Sequence, residues 1–241
     1  MQLPKSRAVF SDLVWLESVD STNLELQRRV GEDLPDLAAV IAGTQTKGQG
    51  RLGRAWESPA GSSLSLSVFL KGPISEPGWL SLLAALAVTR ALASLGVSKA
   101  GVKWPNDVLV DGKKISGILS SLTADGSVVL GIGLNIQRQS QQLETAISLE
   151  ELGIAGGIDE VAAAIGGNLL EVFSARPALK DSQKSSFRAA CLTIGQEVRA
   201  ELPGGEIVTG LAASVNDSGQ LVILTPEPMS LSAADVWHLR S

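Results

Sequence analysis

Thr44-Gln45-Thr46-Lys47-Gly48-Gln49-Gly50-Arg51-Leu52-Gly53-Arg54-Ala55-Trp56 follows one apolar run, and after Glu57-Ser58-Pro59-Ala60-Gly61 a second run alternates from Ser63 to Lys71. What comes after the glycines decides the fold. Gly48, Gly50 and Gly53 have the spacing of a dinucleotide fingerprint, but that fingerprint opens a helix directly after its strand, and here a strand follows. A protein kinase would need a His-Arg-Asp loop and an Asp-Phe-Gly triplet, and the sole histidine is His238. The segment reads instead as a loop that wraps an anion. Its glycines let backbone N–H groups close on phosphate oxygens, Lys47, Arg51 and Arg54 supply charge, and Trp56 offers a flat apolar face. Mobile surface loops are the common fate of glycine-rich segments; three cations and a tryptophan weigh against that here.

Upstream, Val14 to Val19 predicts a strand leading into Asp20-Ser21-Thr22-Asn23-Leu24-Glu25. Thr22 and Glu25 have capping-box spacing, so a helix is expected to enter near Ser21 and to run to about Val30. Ala38 to Ala42 predicts the strand before the loop. Downstream, Leu64, Leu66, Val68 and Leu70 alternate, so the sheet is at least half buried. An apolar helix from about Trp79 to Leu95, ended by Gly96, is expected to pack on it. Val108 to Val110, the turn Asp111-Gly112, Ile115 to Leu122, the turn Ala124-Asp125-Gly126 and Val128 to Ile136 predict an antiparallel meander. Helical patterns follow at Ile158 to Phe173, with paired glycines, and at Lys180 to Ala190. From Ile194 the texture changes to short strands (Glu197 to Leu202, Ile207 to Val215, Leu221 to Leu224) separated by turns, which predicts a small barrel. The expected class is therefore α+β, a mixed or antiparallel sheet with helices, in two domains: 1–191 and 192–241.

Composition narrows the function. The longest apolar stretch, within Trp79 to Leu95, is interrupted by Ser81, Thr89 and Arg90, so a cytoplasmic protein without a membrane partner is expected. One cysteine excludes an internal disulfide and, with one histidine, the usual Cys/His zinc sites. Cys191, flanked by Ala190 and Leu192, reads as a core residue. A net charge of −5 gives no footprint for nucleic acid. Six of the twenty Lys and Arg nevertheless fall within 47–54 and 103–114, and a local cationic site in an acidic chain points to a small anionic ligand.

With little material for a nucleophilic triad or a metal hydrolase, catalysis is expected to work by positioning and electrostatics, as in phosphoryl or adenylyl transfer. Lys103, Asn106 and Asp107 surround Trp104-Pro105, a rigid turn able to aim side chains; for Asn106 a purely structural role is the plain alternative. Alternation after the Asp-Gly turn sends one of Lys113 and Lys114 inward, without saying which. Gly131 and Gly133 share one face of a strand and leave a groove for something flat, with Asn135 at its end able to read an adenine edge; a strand bulge and a satisfied polar side chain are the plain alternatives.

Together, Asp20-Ser21-Thr22-Asn23, Gln45 to Arg54, Lys103-Trp104-Pro105-Asn106-Asp107, Lys114-Ile115-Ser116-Gly117-Ile118-Leu119 and Gly131-Ile132-Gly133-Leu134-Asn135 resemble the ordered motif set of biotin protein ligases. Leu202-Pro203-Gly204-Gly205 and the ending Val236-Trp237-His238-Leu239-Arg240 are similar to the family's terminal domain. The resemblance implies a catalytic core like that of class II aminoacyl-tRNA synthetases with an SH3-like C-terminal barrel. It also implies the monofunctional type without an N-terminal winged helix. The implied reaction adenylates biotin with ATP and Mg²⁺, the metal entering with ATP rather than through a protein site, and then biotinylates a lysine of a biotin carboxyl carrier protein. Ser21, Thr22, Asn23, Gln45, Gln49, Gly50, Gly117, Gly131 and Gly133 would form the biotin site with Arg51 and Lys114. Gly48, Arg51, Arg54, Trp56, Lys103, Asn106 and Asn135 would serve ATP or the adenylate. Lys114, Arg51, Lys103 and Asp107 would carry catalysis, Asp107 by helping to deprotonate the acceptor lysine. The family commonly has Arg where this chain has Gln49, which removes one cation from the loop. A lipoate or octanoate ligase and a non-catalytic biotin sensor are the alternatives, and a homodimer is compatible with the sequence.

Overall fold

The computed structural model describes residues 1–57, 59–139, 142–174 and 178–239, so Arg240 of the terminal motif lies outside it. In chain order the elements are α1 (Pro4–Arg7), β1 (Asp12–Leu16), α2 (Thr22–Arg29), β2 (Ala38–Ala42), β3 (Ser63–Leu70), α3 (Leu80–Ser94), β4 (Ala100–Lys103), β5 (Asp107–Val110), β6 (Lys113–Leu122) and β7 (Val128–Asn135). Then come α4 (Ile158–Val172), α5 (Asp181–Ala190), β8 (Glu197–Glu201), β9 (Ile207–Val215), β10 (Leu221–Leu224), β11 (Met229–Leu231) and β12 (Asp235–His238). β1 to β7 form a seven-stranded sheet in the order β1-β2-β3-β7-β6-β5-β4, and β8 to β12 a five-stranded sheet in the order β11-β10-β9-β8-β12. Among the described strand pairs only β1 and β2 run parallel; the larger sheet is mixed and the smaller antiparallel. The α+β class expected from the sequence is the observed one.

Local chemistry accounts for the joints. Asp111 and Gly112 both take positive φ (48° and 77°), as a two-residue β5–β6 hairpin turn requires. Helix α3 ends in a left-handed Gly96 (φ 97°), with Val97 N–H donating to Leu92 O at 2.9 Å and Gly96 N–H to Ala93 O at 3.1 Å, which satisfies the last free carbonyls. Together with its 3₁₀ lead-in, α3 covers Pro77–Ser94, a stretch long and apolar enough to span a membrane; it is 67% buried inside the protein and serves as a core helix. Gly166, one of the paired glycines of α4, is there for clearance: a Cβ on it would stand 2.7 Å from the Phe10 ring.

Two expectations need correction. The first strand is Asp12–Leu16 rather than Val14 to Val19, because its register against β2 ends at Leu16↔Ala42 and beyond it only the isolated bridge Val19↔Gln45 forms. The helix does enter at Ser21, yet Thr22 makes no capping box. Thr22 is already helical, and its hydroxyl donates to Gln45 Oε1 at 3.0 Å, a tertiary partner that replaces the local one.

One apolar cluster joins the two sheets, running from Leu64, Leu66 and α3 through Trp79 and Trp104 to Val198, Ala212 and Ile223. Both indoles reach the β9–β10 turn: Trp79 Nε1–H donates to Asp217 O at 2.8 Å and Trp104 Nε1–H to Gly219 O at 3.1 Å. Leu192 N–H donates to Val102 O at 2.8 Å, so the chain change near residue 192 is hydrogen-bonded to the larger sheet. A second cluster, Leu26, Leu34, Val40, Phe69 and Val129 among its members, seats α2 on one face of β2, β3 and β7.

Candidate active site

All eight residues of β3 are buried, with Leu64, Leu66, Val68 and Leu70 in the main core and Ser63, Ser65 and Ser67 interleaved between them. A strand with one apolar and one small polar buried face lines a polar cavity with the latter. That cavity is a cleft of about 590 Å³. Its floor is ruled by register: Ser65 pairs with Gly133, which pairs with Gly117, and Ser67 pairs with Gly131, which pairs with Leu119. The missing side chains are replaced from above. A Cβ on Gly133 would lie 2.3 Å from the Trp56 indole, one on Gly117 would lie 3.1 Å from Lys114 Nζ, and one on Gly131 would lie 2.4 Å from Asn23 Oδ1. The groove expected at the two β7 glycines exists, and Trp56 and Asn23 enter it. The buried Nε1–H of Trp56 has no partner among the described residues.

One end of the cleft is polar. Gln45 Oε1 accepts from both Thr22 N–H (2.8 Å) and Thr22 Oγ1 (3.0 Å), and Ser67 Oγ stands between Thr22 Oγ1 (2.8 Å) and Asn23 Oδ1 (2.5 Å). Behind them Asp20 accepts the Ser21 N–H at 2.8 Å and pairs with Arg28, whose guanidinium lowers the carboxyl to about 2. Ser21 is thereby held at the cleft wall.

The other end is ionic. Lys114 Nζ is 2.6 Å from Asp107 Oδ1 and lies 5.7 Å from the centre of the Trp56 ring. Lys103 is the β4 partner of Asp107 across the ladder, and burial lowers the pKa of its ammonium. Arg51, whose pKa burial also lowers, donates to Asn106 Oδ1 and to Ala234 O, both at 3.3 Å, and Arg54 pairs with Asp235. Asn106 also donates to Ile118 O at 2.9 Å, which commits its amide to protein contacts. The amide nitrogen of Asn135, which lines the cleft, donates to Ile147 O at 3.1 Å and to Lys114 O at 3.4 Å. Four cations (Arg51, Arg54, Lys103, Lys114) line the cleft with three carboxylates (Glu57, Asp107, Asp235), an assembly suited to a ligand with several negative charges.

A β-bulge explains which lysine points in. The β5–β6 register shifts between Val108 and Leu109, so parity breaks between Gly117 and Lys114; strict alternation from Gly117 would have sent Lys113 inward. Lys113 is exposed. The loop closes on itself through Gly50 N–H to Arg54 O at 2.7 Å and Trp56 N–H to Gly48 O at 2.9 Å. A Cβ on Gly48 would lie 2.2 Å from Trp56 O, so its role is close backbone approach, away from the cleft lining. Lys47, expected among the loop cations of the site, stands exposed and does not line it.

Of the residues expected at the site, Ser21, Thr22, Asn23, Gln45, Gln49, Gly50, Arg51, Arg54, Trp56, Lys103, Asn106, Asp107, Lys114, Gly117, Gly131, Gly133 and Asn135 all border this one cleft. Reasoning from sequence missed Ser65, Gln142, Ala234 and the β12 residues Asp235 to Trp237, which also line it. The serine alternation was a usable signal for the first; nothing local marks the others.

Residues 15–137 match the Biotin/lipoate A/B protein ligase family, and residues 193–239 match the Biotin protein ligase C terminal domain. A biotin--[acetyl-CoA-carboxylase] ligase of Mycobacterium tuberculosis is 38% identical over 91% of this chain and 86% of its own length. The bifunctional ligase/repressor BirA of Bacillus spizizenii is 29% identical over 96% of this chain and 75% of its own length. Among solved structures, the biotin protein ligase from Aquifex aeolicus in complex with biotin and ATP superposes with a TM-score of 0.80 at 30% identity, covering 96% of this chain and 100% of that one.

Proposed function

The chain belongs to the biotin protein ligase family, and on that premise we propose that it adenylates biotin with ATP and transfers the biotinyl group to a lysine of a biotin carboxyl carrier protein. In the first step a biotin carboxylate oxygen bonds to the α-phosphorus of ATP as the bond to pyrophosphate breaks. In the second, the lysine amine bonds to the acyl carbon of biotinyl-5′-AMP and AMP leaves. One observation carries the assignment of roles: Lys114 pairs with Asp107 and reaches over Gly117 in the same cleft that Thr22, Gln45, Arg51 and Arg54 line, so a cation for a carboxylate and cations for a triphosphate share one site.

Ser21, Thr22 and Gln45 offer the donors and acceptors for the ureido ring at the polar end. The backbone at Gln49 to Arg51 closes over the acid. Lys114 first holds the carboxylate and then the adenylate phosphate, which frees Asp107 from its ion pair to accept a proton from the acceptor lysine. Arg51, Arg54 and Lys103 balance the triphosphate, with Mg²⁺ entering on the nucleotide and neutralising phosphate charge. Asn135 accepts from the adenine amino group. Asn106 holds Arg51 and the β5–β6 backbone rather than touching nucleotide. A closed loop keeps water from the mixed anhydride.

Biotin-dependent ATP–pyrophosphate exchange, with lipoate as the control acid, tests the reading. Exchange with biotin alone is expected. Exchange with lipoate alone would reassign the chain within its biotin/lipoate family, and exchange with neither would leave a biotin-binding sensor.

A further inference from the structure

β4 is an edge strand of the larger sheet, and its outer side is met by the chain at residues 191–193. One rung there is ordinary backbone pairing: Leu192 N–H donates to Val102 O at 2.8 Å. The next is not. Trp104 N–H, the amide of the peptide that follows Lys103, donates at 3.0 Å to the hydroxyl of Thr193 in place of a carbonyl. That hydroxyl belongs to a fully buried residue and lies 3.1 Å from Nε2 of the half-buried His238, the last residue of β12. Having accepted from Trp104, the hydroxyl has one proton of its own to direct, and an unprotonated Nε2 accepts it. Two hydrogen bonds thus run from the terminal strand to the Lys103–Trp104 peptide. Thr193 and His238 stand behind the cleft wall, whereas Lys103, Trp104, Asn106 and Asp107 all line the cleft.

We propose that Thr193 and His238 are a positioning pair: through the Trp104 amide they fix Lys103 at the ionic end of the cleft, where the triphosphate is balanced. This rests on the functional reading above, and it gives the terminal sheet a part in the chemistry through residues that touch no substrate. A backbone rung is indifferent to pH, but a hydroxyl handed to a histidine is not. Protonation of the ring turns Nε2 into a donor, so the hydroxyl must accept from both sides and loses the acceptor for its own proton. Around the ring, β8 presents the apolar Val198 across the ladder and β4 presents Lys103, while the Cys191 thiol faces Thr193. Burial and the charge of Lys103 lower the pKa of the ring below the ordinary 6.5, and burial raises that of the thiol, so the intact relay is the neutral-pH state.

The test is biotin-dependent pyrophosphate exchange by the full chain, with kcat and the KM values for ATP and for biotin taken separately, beside thermal melts. Thr193→Val removes the rung at nearly constant volume. It is expected to lower kcat/KM for ATP by about tenfold to a hundredfold, the scale on which a displaced group at a reacting centre costs rate, with the KM for biotin unchanged. Thr193→Ser should restore most of that loss. His238→Leu should repeat it, and the two changes together should lose no more than either alone, since both cut one chain. His238→Gln, whose amide oxygen accepts but does not titrate, should recover the neutral-pH value and flatten the fall of kcat/KM below about pH 6.5. If Thr193→Val fails to fold, the His238 variants decide. Folded variants with wild-type kinetics toward ATP, equal losses toward both substrates, or losses that multiply in the double variant would overturn the positioning pair. Wild-type protein without biotin exchange would overturn instead the functional reading beneath it.

Discussion

Trp56 lies on the strand position of Gly133, its indole atoms 2.3 to 2.7 Å from where a Cβ of that residue would be. The loop can close only because the strand beneath it is bare. Gly133→Ala is therefore expected to lift Trp56 and lower kcat/KM for biotin by about tenfold or more, the size of effect that overpacking by one methyl produces. Pyrophosphate exchange beside a thermal melt checks this; unchanged exchange in a folded variant would mean the contact is dispensable.

Lys114 and Asp107 are each other's counterions, and their variants are expected to fail at different steps. Lys114→Ala should lower exchange by about 10² to 10³, as the loss of a charge-stabilising donor does. Asp107→Asn should slow transfer from preformed biotinyl-5′-AMP to the carrier more than it slows exchange. Single-turnover measurement of each step decides, and an equal loss in both would remove the base role.

Asp235 draws Arg54 toward β12. Arg54 is 61% exposed, so the pair contributes less than about 1 kcal/mol to stability. Its larger effect falls on the nucleotide: Asp235→Asn frees Arg54 and removes a carboxylate from the cleft, and the KM for ATP is expected to drop severalfold, more so at low salt. A rise in that KM would show that the aspartate helps to build the nucleotide site.

Trp104→Phe leaves the buried Gly219 carbonyl without its indole donor and should destabilise the protein by about 1 to 3 kcal/mol, read as a lower urea midpoint. A smaller shift would show that packing alone holds the two sheets together.

His238 is the sole histidine, and burial with the nearby charge of Lys103 lowers its pKa below the ordinary 6.5. As pH falls below about 6.5 the unfolded chain takes up the proton before the folded one, so stability decreases until the folded pKa is passed. The imidazole resonance should titrate below its free value, and His238→Gln should flatten the fall of the urea midpoint between pH 7 and pH 5. A titration at or above the free value would contradict the half-buried ring whose Nε2 lies 3.1 Å from Thr193 Oγ1.

Much of this architecture is legible in short-range pattern. The Asp111-Gly112 turn, the alternation in β3 and the stop at Gly96 are local devices, and each stands where periodicity and glycine chemistry put it. Failures come where a partner distant in sequence outbids a near one. Thr22 looks like a cap and bonds Gln45. One bulge decides which of Lys113 and Lys114 points inward, and an alternating pattern carries no mark of a bulge. Ala234 to Trp237 reach the cleft through the packing of one sheet on the other, for which β12 holds no signal.

Trp79 and Trp104, both gripping the 217–219 turn, make the two sheets poor material for modular exchange. A chimaera that took its terminal sheet from a relative would inherit a foreign turn beneath two indoles, and any misfit would displace Asp235 from Arg54 as well. Catalytic core, turn and terminal strand are therefore expected to recombine as a single cassette, with the tryptophans travelling alongside the carbonyls they meet.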